Sequence, residues 1–569
     1  MKFVFKYLKP FRGAMILGLF IKFCGTIMDL LLPYIFSHVI DDVIPLREGK
    51  LIYQWGGVMI VCSLIALTFN IMANRKAAAV ARDTTRSIRN DLFKKISYLS
   101  NSQIDKWTIP SLISRMTTDT HYIHRTVGMM QRMGIRAPII VTGGIVMTAL
   151  LDPVLCIVLC CMLPIMATIV FFVSKKGLPF FNKLQQSVDK LVRVIRENTT
   201  GVRVIKALSR VNAEKERFDD VNRQVMHDER KANSIMALTR PSTSFILNLG
   251  LVLVIIVGAY RVNLGLSKAG AIVAFLTYFT IILNSMIAVT RVITMTSQMI
   301  ASSRRIEEVM NDVEAQPVAP FTGIASSSAV EFRNVCFSYN KVKDNLHDIS
   351  FTLEKGQSLG VIGPTGAGKS TLAALMLRFY DVDSGGIYID GKNVNEYEHR
   401  ELREKFGVVF QNDMLFDDTA EGNIRLWRNI DTSELEKAID TAQADFIKEE
   451  GLGKEIASRG ANISGGQKQR LLIARAVAGK PDILILDDSS SALDYKTDSL
   501  VRAKIRERFA DTTMVIIAQR VSSVRSCDKI LVLENGKAQG FGTHEELMQN
   551  CELYAEIAKL QMGEGDESI

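Results

Sequence analysis

The sequence predicts an α-helical membrane domain of six spans followed by a soluble α/β domain built around a phosphate-binding loop. Three observations predict this order. Long apolar runs crowd the chain before about residue 300, basic residues cluster between those runs, and a Gly-rich turn, GPTGAGKST, follows directly on a short apolar strand in the second half. At 569 residues the chain is too long for a single core, since domains of roughly 100–200 residues are the norm.

A bilayer core takes about 20 mostly apolar residues of helix. Six stretches meet that requirement, roughly 14–40, 52–74, 134–151, 153–174, 242–264 and 269–291. Asp152 and Pro153 alone separate the third from the fourth, which makes a tight hairpin, and a short loop around 263–268 joins the last two. Lys2, Lys6, Lys9 and Arg12 precede the first span, while Arg75, Lys76 and Arg82 follow the second. Basic flanks mark the cytoplasmic side, so both termini are expected there, with Arg261 and Lys268 as minor breaches on the opposite face. The basic start runs into its apolar stretch with no small-residue cleavage site and reads as an uncleaved first span.

The segments between the second and third spans and between the fourth and fifth are polar with apolar residues at helical spacing, so the spanning helices are expected to continue far into the cytoplasm. Further on, EAQPVAPFTGIASSSA reads as a linker. The expected division is 1–312 for the membrane domain, 313–329 for the linker and 330–569 for the soluble domain. The net charge of +9 belongs to the cytoplasmic flanks, and no aromatic-basic platform accompanies it; nucleic acid is therefore not an expected partner. The eight cysteines are scattered without metal or disulfide spacing, as small buried hydrophobes in reduced surroundings are.

The chemistry lies in the second half. Gly363, Pro364, Thr365, Gly366, Ala367, Gly368, Lys369, Ser370 and Thr371 complete the pattern of a glycine, four residues and Gly-Lys-Ser. In that pattern backbone N–H groups close around phosphates, the lysine reaches the terminal ones and the serine ligates Mg²⁺. A second apolar strand, 483–486, ends in Asp487, placed as the Mg²⁺-coordinating acid of phosphate-loop ATPases. Between the two, ISGGQKQR puts a glycine pair at the opening of a helix.

In this order and spacing the three motifs resemble the nucleotide-binding domain of ABC transporters, and with six spans ahead of it the whole chain resembles an exporter-type, multidrug-like half-transporter of that family. The resemblance implies ATP and Mg²⁺ as ligands. It further implies that Tyr339 stacks on adenine, that Gln411 senses the γ-phosphate and Mg²⁺, that Ser464, Gly465, Gly466 and Gln467 form the signature motif, and that Ser491, Ala492, Leu493 and Asp494 form a dimer-contact loop.

Two residues depart from the family pattern. Asp488 stands where the family has the glutamate that orients the attacking water; it is one methylene shorter, and misplacements near 1 Å cost roughly a hundredfold in rate. Gln519 stands where the family has a histidine against the γ-phosphate, and Gln carries no positive charge. With Lys369, Ser370 and Asp487 retained, the expectation is a cassette that binds ATP and hydrolyses it poorly. Ser458 likewise replaces a glutamate that many exporters carry before the signature.

In the family each ATP lies between one cassette's phosphate loop and the opposing cassette's signature, so an intact ISGGQ beside a degenerate catalytic pair points to a second, different half-transporter subunit as partner. A slow homodimer and a regulatory or channel-like protein are the alternatives. The coupling segments are expected near 111–118 and 199–206 by position alone. For the substrate the sequence offers Lys22 and Asp29, seven residues apart on one face of the first span, as suspects by virtue of their charge. Asp29 is read either as lining a cavity or as pairing with Lys22. The 23 methionines, many in or near the spans, suit an adaptable cavity. The expected cargo is an amphipathic molecule, drug-like or lipid-like, with peptides second, and the expected location is a bacterial plasma membrane with the ATP-binding domain in the cytoplasm.

Overall fold

Helices with apolar centres and polar ends dominate the first three hundred residues. In this computed structural model, which describes residues 1–313, 316–321, 323, 327–489 and 492–562, they run over Arg12–His38, Gly49–Ser97, Arg136–Leu151, Pro153–Ala207, Val211–Ala237, Thr239–Asn263 and Ala269–Met310. Two are very long. At about 1.5 Å per residue, the 49 residues of Gly49–Ser97 and the 55 of Pro153–Ala207 reach well beyond a bilayer core of about 30 Å. Among the described residues five helical stretches are long and apolar enough to cross a membrane, and Pro153–Ile169 is a shorter apolar one.

The chain forms two units, Met1–Tyr98 with Ile109–Asp312, and Leu99–Thr108 with Val313–Ile569. The first is helical throughout. Its apolar core gathers Leu30, Ile140, Leu155, Met166, Val254, Phe275, Tyr278 and Phe279, and the buried Tyr278 hydroxyl donates to the Leu30 carbonyl at 2.5 Å. Apolar contact cannot discriminate helix from lipid, so polar contacts of this kind fix how the helices sit against one another.

The basic residues that broke the flanking rule have acidic partners. Arg261 Nε donates to Asp152 Oδ2 at 2.9 Å, and Lys268 Nζ to Asp42 Oδ1 at 2.6 Å. Asp152 also caps the helix that begins at Pro153, accepting from the N–H groups of Val154 and Leu155 at 2.9 and 3.3 Å. A proline at the first helical position has no N–H to satisfy, which makes Asp-Pro an efficient hairpin between two spans. Of the alternatives for Asp29, the pairing with Lys22 does not occur among the described contacts. Lys22 Nζ instead donates to Asn70 Oδ1 at 2.7 Å and Asn74 Oδ1 at 3.2 Å, and Asp29 takes Arg136 at 2.9 Å. Seven residues are two helical turns, and here other helices, Gly49–Ser97 for Lys22 and Arg136–Leu151 for Asp29, offer each charge its partner.

The second unit is an α/β domain with two main sheets. Its six-stranded sheet runs, edge to edge, Lys537–Gly542, Lys529–Glu534, Ser358–Ile362, Thr513–Ile517, Ile483–Asp487 and Phe406–Val409, and only the Lys537–Gly542 edge is antiparallel. Ser358–Ile362, Thr513–Ile517 and Ile483–Asp487 are buried along their whole length, as parallel strands covered on both faces are. A four-stranded antiparallel sheet is built on Val330–Phe337, Leu346–Leu353 and Ser384–Ile389.

The linker was expected over 313–329; residues 314–315, 322 and 324–326 lie outside the described residues, and the stretch around 316–321 is docked. The buried Arg378 donates to the Pro317 carbonyl at 2.8 Å, and the Ala319 N–H to the Asn395 carbonyl at 2.7 Å. The coupling segment expected near 111–118 is helical within the first unit. Upstream of it, the short helix Asn101–Trp107 belongs to the second unit, where Asp105 accepts from the Tyr380 hydroxyl at 2.7 Å and Gln103 donates to the Val313 carbonyl at 2.7 Å. Its capping box, Ser100 with Gln103, ends the preceding helix and starts the new one.

Asp152→Ala removes a cap and strands Arg261, and should lower the stability of the protein in detergent by about 3 kcal/mol or more. Asp152→Asn keeps a capping oxygen and should lose less. Thermal unfolding of the two variants checks the order.

Candidate nucleotide site

Register brings the site together. Ile517 lies beside Asp487 on one side and Val361 on the other, so three adjacent parallel strands end at one edge and release Gly363, Asp488 and Ala518 toward the same space. Ligands of open α/β sheets bind at such carboxyl edges. Around one cavity of about 230 Å³ stand Thr365, Gly366, Gly368, Lys369, Ser370, Thr371, Gln411, Asp487, Asp488 and Gln519, joined by Asn345.

The phosphate loop takes a conformation that side chains would obstruct. Gly368 has φ +99°, and a Cβ there would meet Leu346 Cδ2 at 2.7 Å and the Asn345 carbonyl at 2.8 Å. Gly366 also has a positive φ, +84°, but nothing lies within 4 Å of its would-be Cβ, so its backbone faces open space. From Lys369 a helix runs to Met376. The Lys369 ammonium arches back to the carbonyls of Gly363 and Pro364 at 2.7 and 2.9 Å, and Ala367 is buried beneath the loop. Burial holds the Lys369 ammonium below its usual pKa, against the upward pull of Asp487 and Asp488. A phosphate chain would reverse that balance.

Asp487 is 4% exposed and hydrogen-bonded to Ser370. Burial raises its carboxyl pKa; Ser370 opposes this and the neighbouring Asp488 adds to it. A desolvated carboxylate beside a serine hydroxyl is the oxygen donor set that Mg²⁺ takes together with phosphate oxygens, so the residues present fit ATP with Mg²⁺. Ser370 and Asp487 would hold the Mg²⁺, which when bound would supply charge neutralisation to the phosphates.

The two departures sit at the mouth. Asp488 has a left-handed backbone, φ +50°, a conformation that Asp tolerates better than most residues. Its N–H donates to the Ile517 carbonyl at 2.9 Å, and its Oδ2 lies 3.5 Å from Gln411 Nε2. The Gln519 turn is clamped from the C-terminal helix: Gln561 donates to the Gln519 carbonyl at 2.9 Å and accepts from the Val521 N–H at 2.7 Å. Neither Gln561 nor Asn345 carried a sequence signal.

Tyr339 is 48% exposed, with its hydroxyl 3.3 Å from Thr371 Oγ1. Its ring stands edge-on to Phe337 and Tyr380, at 4.8 and 4.9 Å between centroids. The structure does not bring Ser464, Gly465, Gly466, Gln467 or Asp494 to this cavity. Ser464 and Gln467 form a capping box that opens the helix Gly465–Val477, and Asp494 caps the helix Tyr495–Arg508 through the Thr497 N–H at 2.9 Å. Ser491 lies outside the described residues. Ser464 and Gly465 are exposed, and a Cβ on Gly465 would meet only Ala492 Cβ at 3.5 Å.

The raised pKa of Asp487 has a sign. Its ionised form is lost at a higher pH than that of an ordinary aspartate as pH falls, and Mg²⁺ favours the ionised form, so Mg·ATP binding at acidic pH, where this carboxyl is partly protonated, should release a proton from it. Titration calorimetry in buffers of different ionisation enthalpy should show a smaller proton release for Asp487→Asn than for the natural chain.

Comparison with known proteins agrees with both halves. The ABC transporter transmembrane region matches residues 15–286, and the ABC transporter domain matches 346–491. An uncharacterized ABC transporter ATP-binding protein of Mycobacterium tuberculosis is 32% identical, over 98% of this chain and 97% of that one. A second, YfiB of Bacillus subtilis, is also 32% identical, over 99% of both. The structure of a bacterial Atm1-family ABC exporter with ATP bound superposes with a TM-score of 0.82 at 24% identity, covering 98% of this chain and 99% of that one, which shows the fold. The chain therefore belongs to the ABC transporter family, a membrane domain of exporter-type fold fused to an ATP-binding cassette.

Proposed function

We propose that this chain is the degenerate-site subunit of a heterodimeric exporter. It spans a bacterial plasma membrane six times, with cassette and termini in the cytoplasm, and moves an amphipathic substrate by ATP-driven alternating access. The observation that carries this reading is the pair Asp488 and Gln519 on the rim of an otherwise complete phosphate site. Asp488 is too short to hold a water where a glutamate would hold it, and its Oδ2 stands 3.5 Å from the neutral Gln411 amide. Gln519 contributes no charge to a departing phosphate. Hydrolysis is then expected mainly at the second site, where this chain supplies an exposed Ser464–Gly465 edge and the partner supplies the phosphate loop.

Supporting the coupling side of the reading, Asn101–Trp107, carried between two spans, is part of the cassette's own unit. Its Asp105 holds Tyr380, on which the Tyr339 ring abuts. A nucleotide that orders Tyr339 is thereby two side chains away from a segment of the membrane domain's chain.

The test is steady-state ATPase of the complex, purified from native membranes through a tag on this chain. Gly465→Val should lower activity about a hundredfold or more by blocking backbone approach to the second ATP, while leaving the local fold intact. Asp488→Asn should change it far less. Equal damage from the two substitutions would mean that this chain's own site turns over, and recovery of this chain alone would mean a homodimer. Purified by itself, the chain should bind Mg·ATP and hydrolyse it far more slowly than the complex.

A further inference from the structure

Within the helical unit lies a cavity of about 630 Å³, and among the described residues its charged lining is of one sign: Lys22, Arg132, Arg136 and Arg291, with no acidic residue. Its size is that of small-molecule sites, about 300–1,000 Å³. Lys22, Arg136 and Arg291 sit on the first, third and sixth apolar helices and Arg132 just before the third, and for the three arginines, close to helix ends, a bias toward cytoplasmic lysine and arginine is the competing explanation. That bias accounts for side chains that reach outward to headgroups or water. It does not account for four that meet in one cavity.

The geometries of Lys22 and Arg136 support this, while Arg132 and Arg291 are exposed at the cavity. Lys22 is 3% exposed, and two of its three ammonium N–H groups are held by Asn70 and Asn74. Asp29 lies outside the lining and compensates Arg136 from behind, while Arg136 Nε is buried without a hydrogen-bond partner among the described residues. A buried guanidinium N–H without an acceptor is costly, and an anion in the cavity supplies one. Between the charges the walls are apolar, with Met133, Ile140 and Ile281.

We infer that this cavity takes an amphiphilic organic anion, a carboxylate or phosphate head on an apolar body, and that Arg132, Arg136, Arg291 and Lys22 select its charge. This rests on the transport reading above and narrows its substrate from amphipathic to anionic. An anionic lipid of the inner leaflet and a soluble cytoplasmic anion share that chemistry.

The experiment uses the full complex in phosphatidylcholine nanodiscs, with octyl phosphate, octyltrimethylammonium and octyl glucoside as matched probes, and reads binding by calorimetry. Octyl phosphate should bind at least about tenfold more tightly than the other two, as charge-assisted hydrogen bonds require. Arg132→Gln with Arg291→Gln should remove most of that preference, and Arg291→Glu should shift it toward octyltrimethylammonium. Nucleotide binding should stay unchanged in both and reports folding. Competition by phosphatidylglycerol added to the nanodiscs supports the inference and assigns a lipid source; undiminished binding of octyl phosphate supports it and assigns a soluble one. Equal affinity for the three probes, or arginine variants that bind octyl phosphate as the natural chain does, overturns it. ATP-driven accumulation in inverted vesicles separates the two readings. Arginine-dependent binding without accumulation defeats the exporter and leaves the anion site, whereas accumulation blind to probe charge defeats the anion site alone.

Discussion

Three parallel strands that end in register are what the nucleotide site depends on. Val361, Ile517 and Asp487 lie side by side, so the phosphate loop, the Asp487–Asp488 pair and the Gln519 turn leave the sheet at one level. A strand slipped by a single residue would turn Asp487 to the other face of the sheet and away from Ser370. The burial that fixes this register also raises the carboxyl of Asp487 and lowers the ammonium of Lys369. Mg²⁺ and phosphate bound there would favour the charged forms of both groups.

Charge in the helical unit follows a different economy. At the hairpin ends Arg261 pairs with Asp152 and Lys268 with Asp42, and these pairs tie elements together where apolar surfaces cannot choose between helix and lipid. In the cavity the pattern inverts. Lys22, Arg132, Arg136 and Arg291 converge with Asp29 as the counter-charge behind them, so the same residue types that brace the fold at one end leave an unbalanced field at the other. In surroundings of low dielectric such a field is strong and selective for sign.

The motifs themselves were legible because their chemistry is local. GPTGAGKST needs only its own backbone to form a loop, and Ser464 with Gln467 caps its own helix. Apolar length marked the membrane helices for the same reason. Position alone carries less: Asn101–Trp107, between two spans, falls in the second unit, and Lys22 and Asp29, for which spacing left a pair as one alternative, each take a partner on another helix.

The sequence by itself determined the family, the order of the two halves, the phosphate loop and the two departures, Asp488 and Gln519. Each of these is a matter of residue type at fixed spacing along one strand, loop or helix. The tertiary structure alone decided what meets across elements: Gln561 clamping the Gln519 turn, Asp105 holding Tyr380, Arg378 docking the segment before the cassette, and four cationic side chains around one cavity. Contacts between residues tens to hundreds of positions apart depend on helix rotation and strand order, which no local pattern encodes, because a side chain's nearest acid, base or ring is set by the packing of whole elements rather than by its neighbours in the chain.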